Sequence, residues 1–455
     1  MEHLEERLLE HVFRIGFEDL PEEVVAYCKL LLIDSLGVTF PGSRAPGCSA
    51  VAELAKGFGG GQGASILIYG YKVSPPMAAL VNSTMMHALD FDDTLDVSAL
   101  HTFVSVLPAA LSTAEHLGRV NGRTLITALV LGVDVICRLS YGTRRPLSWI
   151  RTATCGSFGA AATAGKILGL DQEGLVNALG VVYSQTAGNA QGLVEGRLVK
   201  RMQPGFASQA GVTSVFLARA GITGPHRFLL GPYGFYSLYE RGEYDPEPVV
   251  RALGEHFTIL DLSLKPYPCC RMTHASIDGA LRIRRDMAEP VEEVEKIQVF
   301  VSTMVVEMVG KPFAIGTDPQ VDAQFSIPYA VSTALIRGDV FLEDFELHRI
   351  TDQEVHALAH HVEVFPDSAF GDKDITRARV RVQVRGGRCY EAQVSAPLGN
   401  PANPLDLKRC KEKFRKCLNH SRVELDEGKA QELLSTIEHL DELEDVRDLI
   451  SLMTG

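Results

Sequence analysis

Four aspartates and two histidines fall within fifteen residues, in His87-Ala-Leu-Asp90-Phe-Asp92-Asp93-Thr94-Leu-Asp96 followed by His101. Such a cluster can do three things. Its carboxylates can cap the next helix. They can hold a metal ion. Or a histidine beside a carboxylate can move protons, since imidazole titrates near neutral pH and an acid group can orient it. Capping explains one aspartate more readily than four, because crowding like charges is costly without a use. His101 stands directly before Thr102–Leu111, which reads as a helix. The positive end of a helix there favours the uncharged imidazole, the form that accepts a proton.

The metal reading is weaker. Asp92-Asp93-Thr94-Leu95-Asp96 has the form of a magnesium–diphosphate motif, which needs a second acidic motif facing it. Glu444-Asp445-Val-Arg-Asp448 is the nearest match and reads as an exposed helix face. Cys269-Cys270 lacks a second ligand pair at useful spacing for zinc or iron–sulfur. No metal is therefore expected.

The elements around the cluster read as helices. Glu5 to about Phe40 gives two amphipathic helices split at Leu20-Pro21, with Pro21 suited to a first turn. Met77–Leu89, Val104–Leu117, Thr124–Leu139, Phe158–Leu168 and Gln209–Ala220 are rich in Ala, Leu and Gly, which lets helices approach closely. Gly57–Gly63 is glycine-rich, but no Lys-Ser/Thr follows, so it reads as a loop rather than a phosphate cradle. The texture changes near Lys265-Pro-Tyr-Pro. A helix over Thr273–Met287 and a strand over Lys296–Ser302 follow. Thr376–Val384, the Gly386-Gly387 turn and Cys389–Val394 then make a hairpin. Its stripe Arg377, Arg379, Arg381 and Arg385 reads as a solvated face. After Pro404 the chain is charged and helical. The fold expected is mostly α: a large all-α helical domain from 1–264 and 401–455, with an inserted smaller α+β lid domain over 265–400.

Length alone, 455 residues, argues for two domains. The net charge of −13 speaks against a nucleic-acid partner, and an acidic ligand would need a local group of Lys and Arg. Nine scattered cysteines without CxxC spacing fit reduced thiols, hence a cytoplasmic setting. The start MEHLEERLLEHVF is charged and helical, unlike a signal peptide, and no apolar run of the ~20 residues needed to span a membrane is read.

The motifs HALDFDDT, His101-x6-PAAL with Glu115 and Gly118, CGSFGAAATAGKILGL from Cys155, Lys200-Arg201-Met202-Gln203 with Gly205, LARAGITGP from Leu217, Lys265-Pro-Tyr-Pro-Cys-Cys-Arg271 with Thr273-His274, and FSIPYAV around Tyr329 follow one another in order. This set resembles the MmgE/PrpD family, whose members include 2-methylcitrate dehydratase, cis-aconitate decarboxylase and iminodisuccinate epimerase. The resemblance implies a helical domain with an α+β lid, a cleft between them, a homodimer, and no metal or organic cofactor. Position by position it implies active-site roles for Asp90, Thr94, His101, Lys200, Lys265 and Tyr329. Two positions depart: Ile150 stands where members with decarboxylase or dehydratase activity typically carry a histidine, and Cys270 where some decarboxylases carry another. Isoleucine can neither transfer a proton nor donate a hydrogen bond.

The expected chemistry is a proton removed next to a carboxylate of a small polycarboxylic acid. Lys200, Lys265 and Arg271 would hold carboxylates, with Arg151 as a further anchor. His101 would be the base, Asp90 would orient it or relay the proton, and Thr94 and Tyr329 would bond the developing oxyanion or a leaving hydroxyl. Three fates are open: dehydration of the 2-methylcitrate dehydratase type, ranked first, epimerisation, and decarboxylation. The departures at 150 and 270 also fit a member with an eroded site that binds without turnover.

Overall fold

The computed structural model describes residues 3–59, 61, 63–145 and 149–454. The chain is mostly helical with small sheets, and divides into two compact units, Met1–Leu262 with Asp406–Gly455, and Ser263–Leu405.

In the larger unit the helices that matter for the site are α1 (Glu22–Gly42), α2 (Pro75–His87), α3 (Phe103–Leu117), α4 (Gly122–Tyr141), α5 (Arg151–Leu168) and α6 (Val199–Arg219). A short antiparallel pair, β1 (Ala64–Ser65) and β2 (Lys72–Val73), precedes α2. Of the glycine-rich run, Gly60 and Gln62 lie outside the described residues. Small residues set how closely the helices pack. A Cβ on Gly132 of α4 would overlap the Thr163 hydroxyl of α5, and one on Gly159 of α5 would overlap Ile136 of α4. Neither clash is relieved by a flexible side-chain end, so the α4–α5 spacing depends on both glycines. Helix α6 begins about ten residues before the segment expected from Gln209. Pro204-Gly205 hid its first turns, since proline breaks the hydrogen-bond ladder and glycine weakens propensity, yet both are buried there against neighbouring helices.

One expectation needs correction. Two helices, α1 and α4, are long and apolar enough by length and composition to cross a membrane. Here 72% and 89% of their apolar windows lie inside the protein, so they act as core helices. Asp34 in α1 and Asp134 and Arg138 in α4 interrupt the apolar runs and pair within the core.

In the smaller unit, α7 (His274–Asp286) and α8 (Ile327–Arg337) accompany a four-stranded sheet of β3 (Val294–Val301), β4 (Val362–Pro366), β5 (Ala378–Val384) and β6 (Cys389–Val394), in the order β4-β3-β5-β6. β3 pairs parallel with β4 and antiparallel with β5, placing Val299 beside both Val364 and Val380. The β5–β6 hairpin forms as the alternation required, with Val382 opposite Tyr390 and both Gly386 and Gly387 at φ 85°. Ala378, Val380, Val382 and Val384 are fully buried, and Gly279 of α7 lets the helix close to van der Waals range of Val380. The arginines point the other way: Arg381 pairs with Glu391 at 2.7 Å, and Arg379 with Asp367 at 2.9 Å. Helix α8 starts under a Ser326 cap on the Tyr329 N–H and stops at Gly338, which takes the left-handed conformation.

Candidate active site

Helix α2 ends at His87, and the next fifteen residues return the chain to the N-terminus of α3. Two features close this loop. The Leu95 N–H donates to the Leu100 carbonyl at 2.7 Å, and Asp90 and Ala99 adopt left-handed backbone at φ 53° and 48°. Aspartate tolerates that conformation better than most residues, alanine less well, so the loop stores strain at the cluster.

Asp93 is the cap of α3, supplied from nine residues away. Its carboxylate accepts from the Thr102 N–H and hydroxyl, both at 2.8 Å, and from the Phe103 N–H at 3.1 Å. Burial, then the neighbouring Asp92 charge, pushes its pKa up to about 6 and makes it a weaker acid. Asp92 behaves in the opposite way. Burial works against its ionisation, but His101 and His87 outweigh it and hold the carboxyl well below the usual range. Two adjacent buried carboxylates thus separate into one fixed charge and one that titrates much later.

His101 sits at the end of the loop. Its Nδ1 lies 2.6 Å from the Asp93 carbonyl and 3.0 Å from Asp92 Oδ2, and its backbone N–H donates to Thr152 of α5 at 3.2 Å. Both groups facing Nδ1 are acceptors, so Nδ1 carries the hydrogen and the lone pair lies on Nε2. The side chain is 12% exposed. His87 Nδ1 approaches the same Asp92 oxygen at 2.8 Å, with its ring edge-on to that of His101 at 4.7 Å. It is sealed at 2% exposure, and burial lowers its pKa to about 4, so it is neutral at physiological pH.

His87, Asp92 and His101 offer ligand-type atoms within 4.8 Å of one another. Both Nδ1 atoms stand at hydrogen-bond distance from one carboxylate oxygen, and that of His101 also faces a carbonyl. The set is arranged to share hydrogens; to bind an ion it would have to give them up and spread apart.

Asp90 turns its carboxylate to Lys200, which extends from the first turn of α6, at 2.9 Å. Thr94 is buried in the same loop. The structure thus gathers Asp90, Thr94 and His101 into one loop and joins Lys200 to it through Asp90. Arg151 opens α5 behind its cap residue Ile150. Its Nη2 donates to the Arg145 carbonyl at 2.7 Å and lies 3.9 Å from Glu240, so much of its charge is already answered within the unit.

The remaining expected residues belong to the smaller unit. Lys265 is almost wholly buried at 1% exposure. Its segment is held by the Leu264 N–H on the Gly399 carbonyl at 2.9 Å and by Tyr267, whose hydroxyl donates to Asp278 of α7 at 2.7 Å. Arg271 Nη1 donates to the Leu398 carbonyl at 3.1 Å and lies 3.3 Å from His274 Nδ1. Cys270 is buried beside it. Tyr329 is sealed in α8, with its hydroxyl donating to the Asp344 carbonyl. Burial, partly offset by Thr333 and Arg337, pushes its pKa up to about 12, so it stays a neutral phenol.

Sequence reasoning named His87 and Asp92 as part of the cluster but gave them no site role. The five-residue spacing across a helix end carried no recognisable pattern. Lys413, from the helix Leu407–Leu418, gave no signal at all. Its ammonium bonds the Phe91 carbonyl at 2.9 Å and Asp34 at 2.6 Å.

Comparison with known proteins identifies the family. Residues 6–247 match the MmgE/PrpD N-terminal domain and residues 267–441 the MmgE/PrpD C-terminal domain. The chain is similar to cis-aconitate decarboxylase of Aspergillus terreus (26% identical, over 96% of this chain and 93% of that protein) and of Homo sapiens (26%, over 98% and 93%). It is also similar to 2-methylcitrate dehydratase of Escherichia coli strain K12 (21%, over 86% and 84%). With both domain models matched in order over most of its length, and with the His101 loop lying inside the first, the chain belongs to the MmgE/PrpD family.

Proposed function

We propose that the protein is a lyase acting on a small polycarboxylic acid, and that its first step removes a proton from the carbon next to a carboxylate. One observation carries the reading: Nδ1 of His101 faces two acceptors, which leaves the Nε2 lone pair on a partly exposed ring. In the step, the C–H bond breaks, the proton goes to Nε2, and the electron pair spreads into the adjacent carboxylate. Lys200, held by Asp90, and Lys265 and Arg271 of the smaller unit are the cations offered to substrate carboxylates. Thr94 and Tyr329 are the hydroxyl groups offered to the developing oxyanion. For Tyr329, this requires its hydroxyl to turn from the Asp344 carbonyl or to accept a bond while still donating there.

What leaves next defines the reaction. Departure of a β-hydroxyl as water is the first reading, a 2-methylcitrate dehydratase-like hydro-lyase. Decarboxylation is the second: a carbon–carboxylate bond breaks, carbon dioxide leaves, and a protonated His101 delivers its proton to the carbanion in its place, so the same ring acts as acid. This reading is favoured by the higher identity to cis-aconitate decarboxylases, at 26% against 21% for the dehydratase. Ile150 takes away a group that could assist either departure. The test is incubation of the purified chain with methylcitrate, citrate, cis-aconitate and iminodisuccinate in deuterated water, followed by NMR. Deuterium entering beside a carboxylate supports the reading, and the product formed tells water loss from carbon dioxide loss or epimerisation. No exchange into any of the four sinks it.

A further inference from the structure

Asp92 and Asp93 are adjacent, both fully buried, and differently used. Asp93 spends its carboxylate on three donors of the α3 N-terminus. Among the described residues Asp92 accepts only from imidazoles: His87 and His101 converge on Oδ2 at 2.8 and 3.0 Å, while the buried Oδ1 has no hydrogen-bond partner among them. A carboxylate buried for structural reasons has its lone pairs answered, because leaving one dry costs about 1–3 kcal/mol. We infer that Asp92 and His87 form, with His101, a three-member His–Asp–His unit in which Asp92 is the positioning residue of the base and His87 is a fixed donor that tempers Asp92.

The two rings are not equivalent. His87 is sealed and neutral, so it never carries the proton at physiological pH. His101 is the ring open to solvent. When a proton reaches its Nε2, the Nδ1–H stays in place and the Asp92 charge faces the new imidazolium; nothing need leave Asp92. The His87 N–H holds the carboxylate from the other side and drains part of its charge. Among the described residues, charges near the unit include Asp90 and Asp93 in the same loop, Lys200 from α6, which bears on His87, and Lys413, which reaches the Phe91 carbonyl from the helix Leu407–Leu418. Asp90 and Lys200 answer each other and Lys413 is paired to Asp34, so Asp92 is the anion committed to the rings.

The inference rests on His101 being the base, and its test is chosen not to need turnover. The full chain is labelled with 15N-histidine, and the His101 signal is identified by its loss in His101→Gln. The expected result is a neutral ring with the hydrogen on Nδ1. In Asp92→Asn the pH at which Nε2 takes up a proton falls by about one unit or more, as loss of an opposite charge at this range demands. In His87→Leu it rises, because Asp92 then has one donor fewer. A hydrogen on Nε2 in the unmodified chain, an unmoved midpoint in Asp92→Asn, or shifts of the same sign in both variants each overturn the unit. If Asp92→Asn does not fold, the tautomer of the unmodified chain and the His87→Leu shift decide. Correct titration in a chain that exchanges no substrate proton would retire the proposed activity while leaving the unit standing.

Discussion

Lys413 and Phe91 are joined across 322 residues: the ammonium bonds the Phe91 carbonyl at 2.9 Å and lies 3.7 Å over the Phe91 ring. Phe91 stands between Asp90 and Asp92, so the helix Leu407–Leu418 holds the backbone of the site loop. The same ammonium pairs with Asp34 in α1, and the pair is almost wholly buried. Lys413→Met leaves the Asp34 carboxylate without that partner and is expected to cost about 3–5 kcal/mol in urea unfolding. Adding Asp34→Asn should return part of the loss. A neutral single substitution would show that the pair contributes nothing to holding the loop.

His101→Gln keeps size and a hydrogen-bonding side chain but removes the Nε2 base. Its kcat should fall by about 100-fold or more with little change in melting temperature. Near-normal turnover on the substrate found in the deuterium panel would remove His101 from the base position.

His87 predicts a pH-dependent stability. Its folded pKa, near 4, lies below the ordinary 6.5, so the unfolded chain binds the extra proton first. The stability it contributes is full above about pH 6.5 and is lost as pH falls toward 4, by about 2 kcal/mol between pH 7 and pH 5. Denaturant midpoints at these two pH values, compared between the unmodified chain and His87→Gln, measure this. The variant should lose distinctly less, and equal losses would contradict the buried neutral ring.

Gly132→Ala places a methyl where the Thr163 hydroxyl of α5 sits. The α4–α5 contact must open or shift, at an expected cost of about 1–3 kcal/mol. An unchanged urea midpoint would mean that the interface is looser than the packing indicates.

Lys265→Ala tests the smaller unit. If its buried ammonium binds a substrate carboxylate, KM should rise strongly while the fold holds. An unchanged KM would make the lysine structural.

Much of the molecule was legible in one dimension. Alternation over 376–394 foretold the hairpin because strand geometry repeats every two residues, and the small-residue runs foretold close-packed helices because a helix brings every third or fourth residue to one face. Where local signals conflict with packing, the reading fell short. Pro204-Gly205 concealed the start of α6, and the apolar lengths of α1 and α4 are core rather than absent.

For the site, the sequence by itself determined which groups are available: a loop with two histidines and four aspartates, and cations at 200, 265 and 271. Only the tertiary structure decided what each group faces. It put Asp93 on the α3 N-terminus and Asp92 between two rings, set the His101 hydrogen on Nδ1, spent much of Arg151 on Glu240, and brought Lys413 to Phe91. The reason is electrostatic. A side chain's chemistry is its composition in water, but once buried it is set by a few partners within about 3 Å, and those partners come from anywhere in the chain.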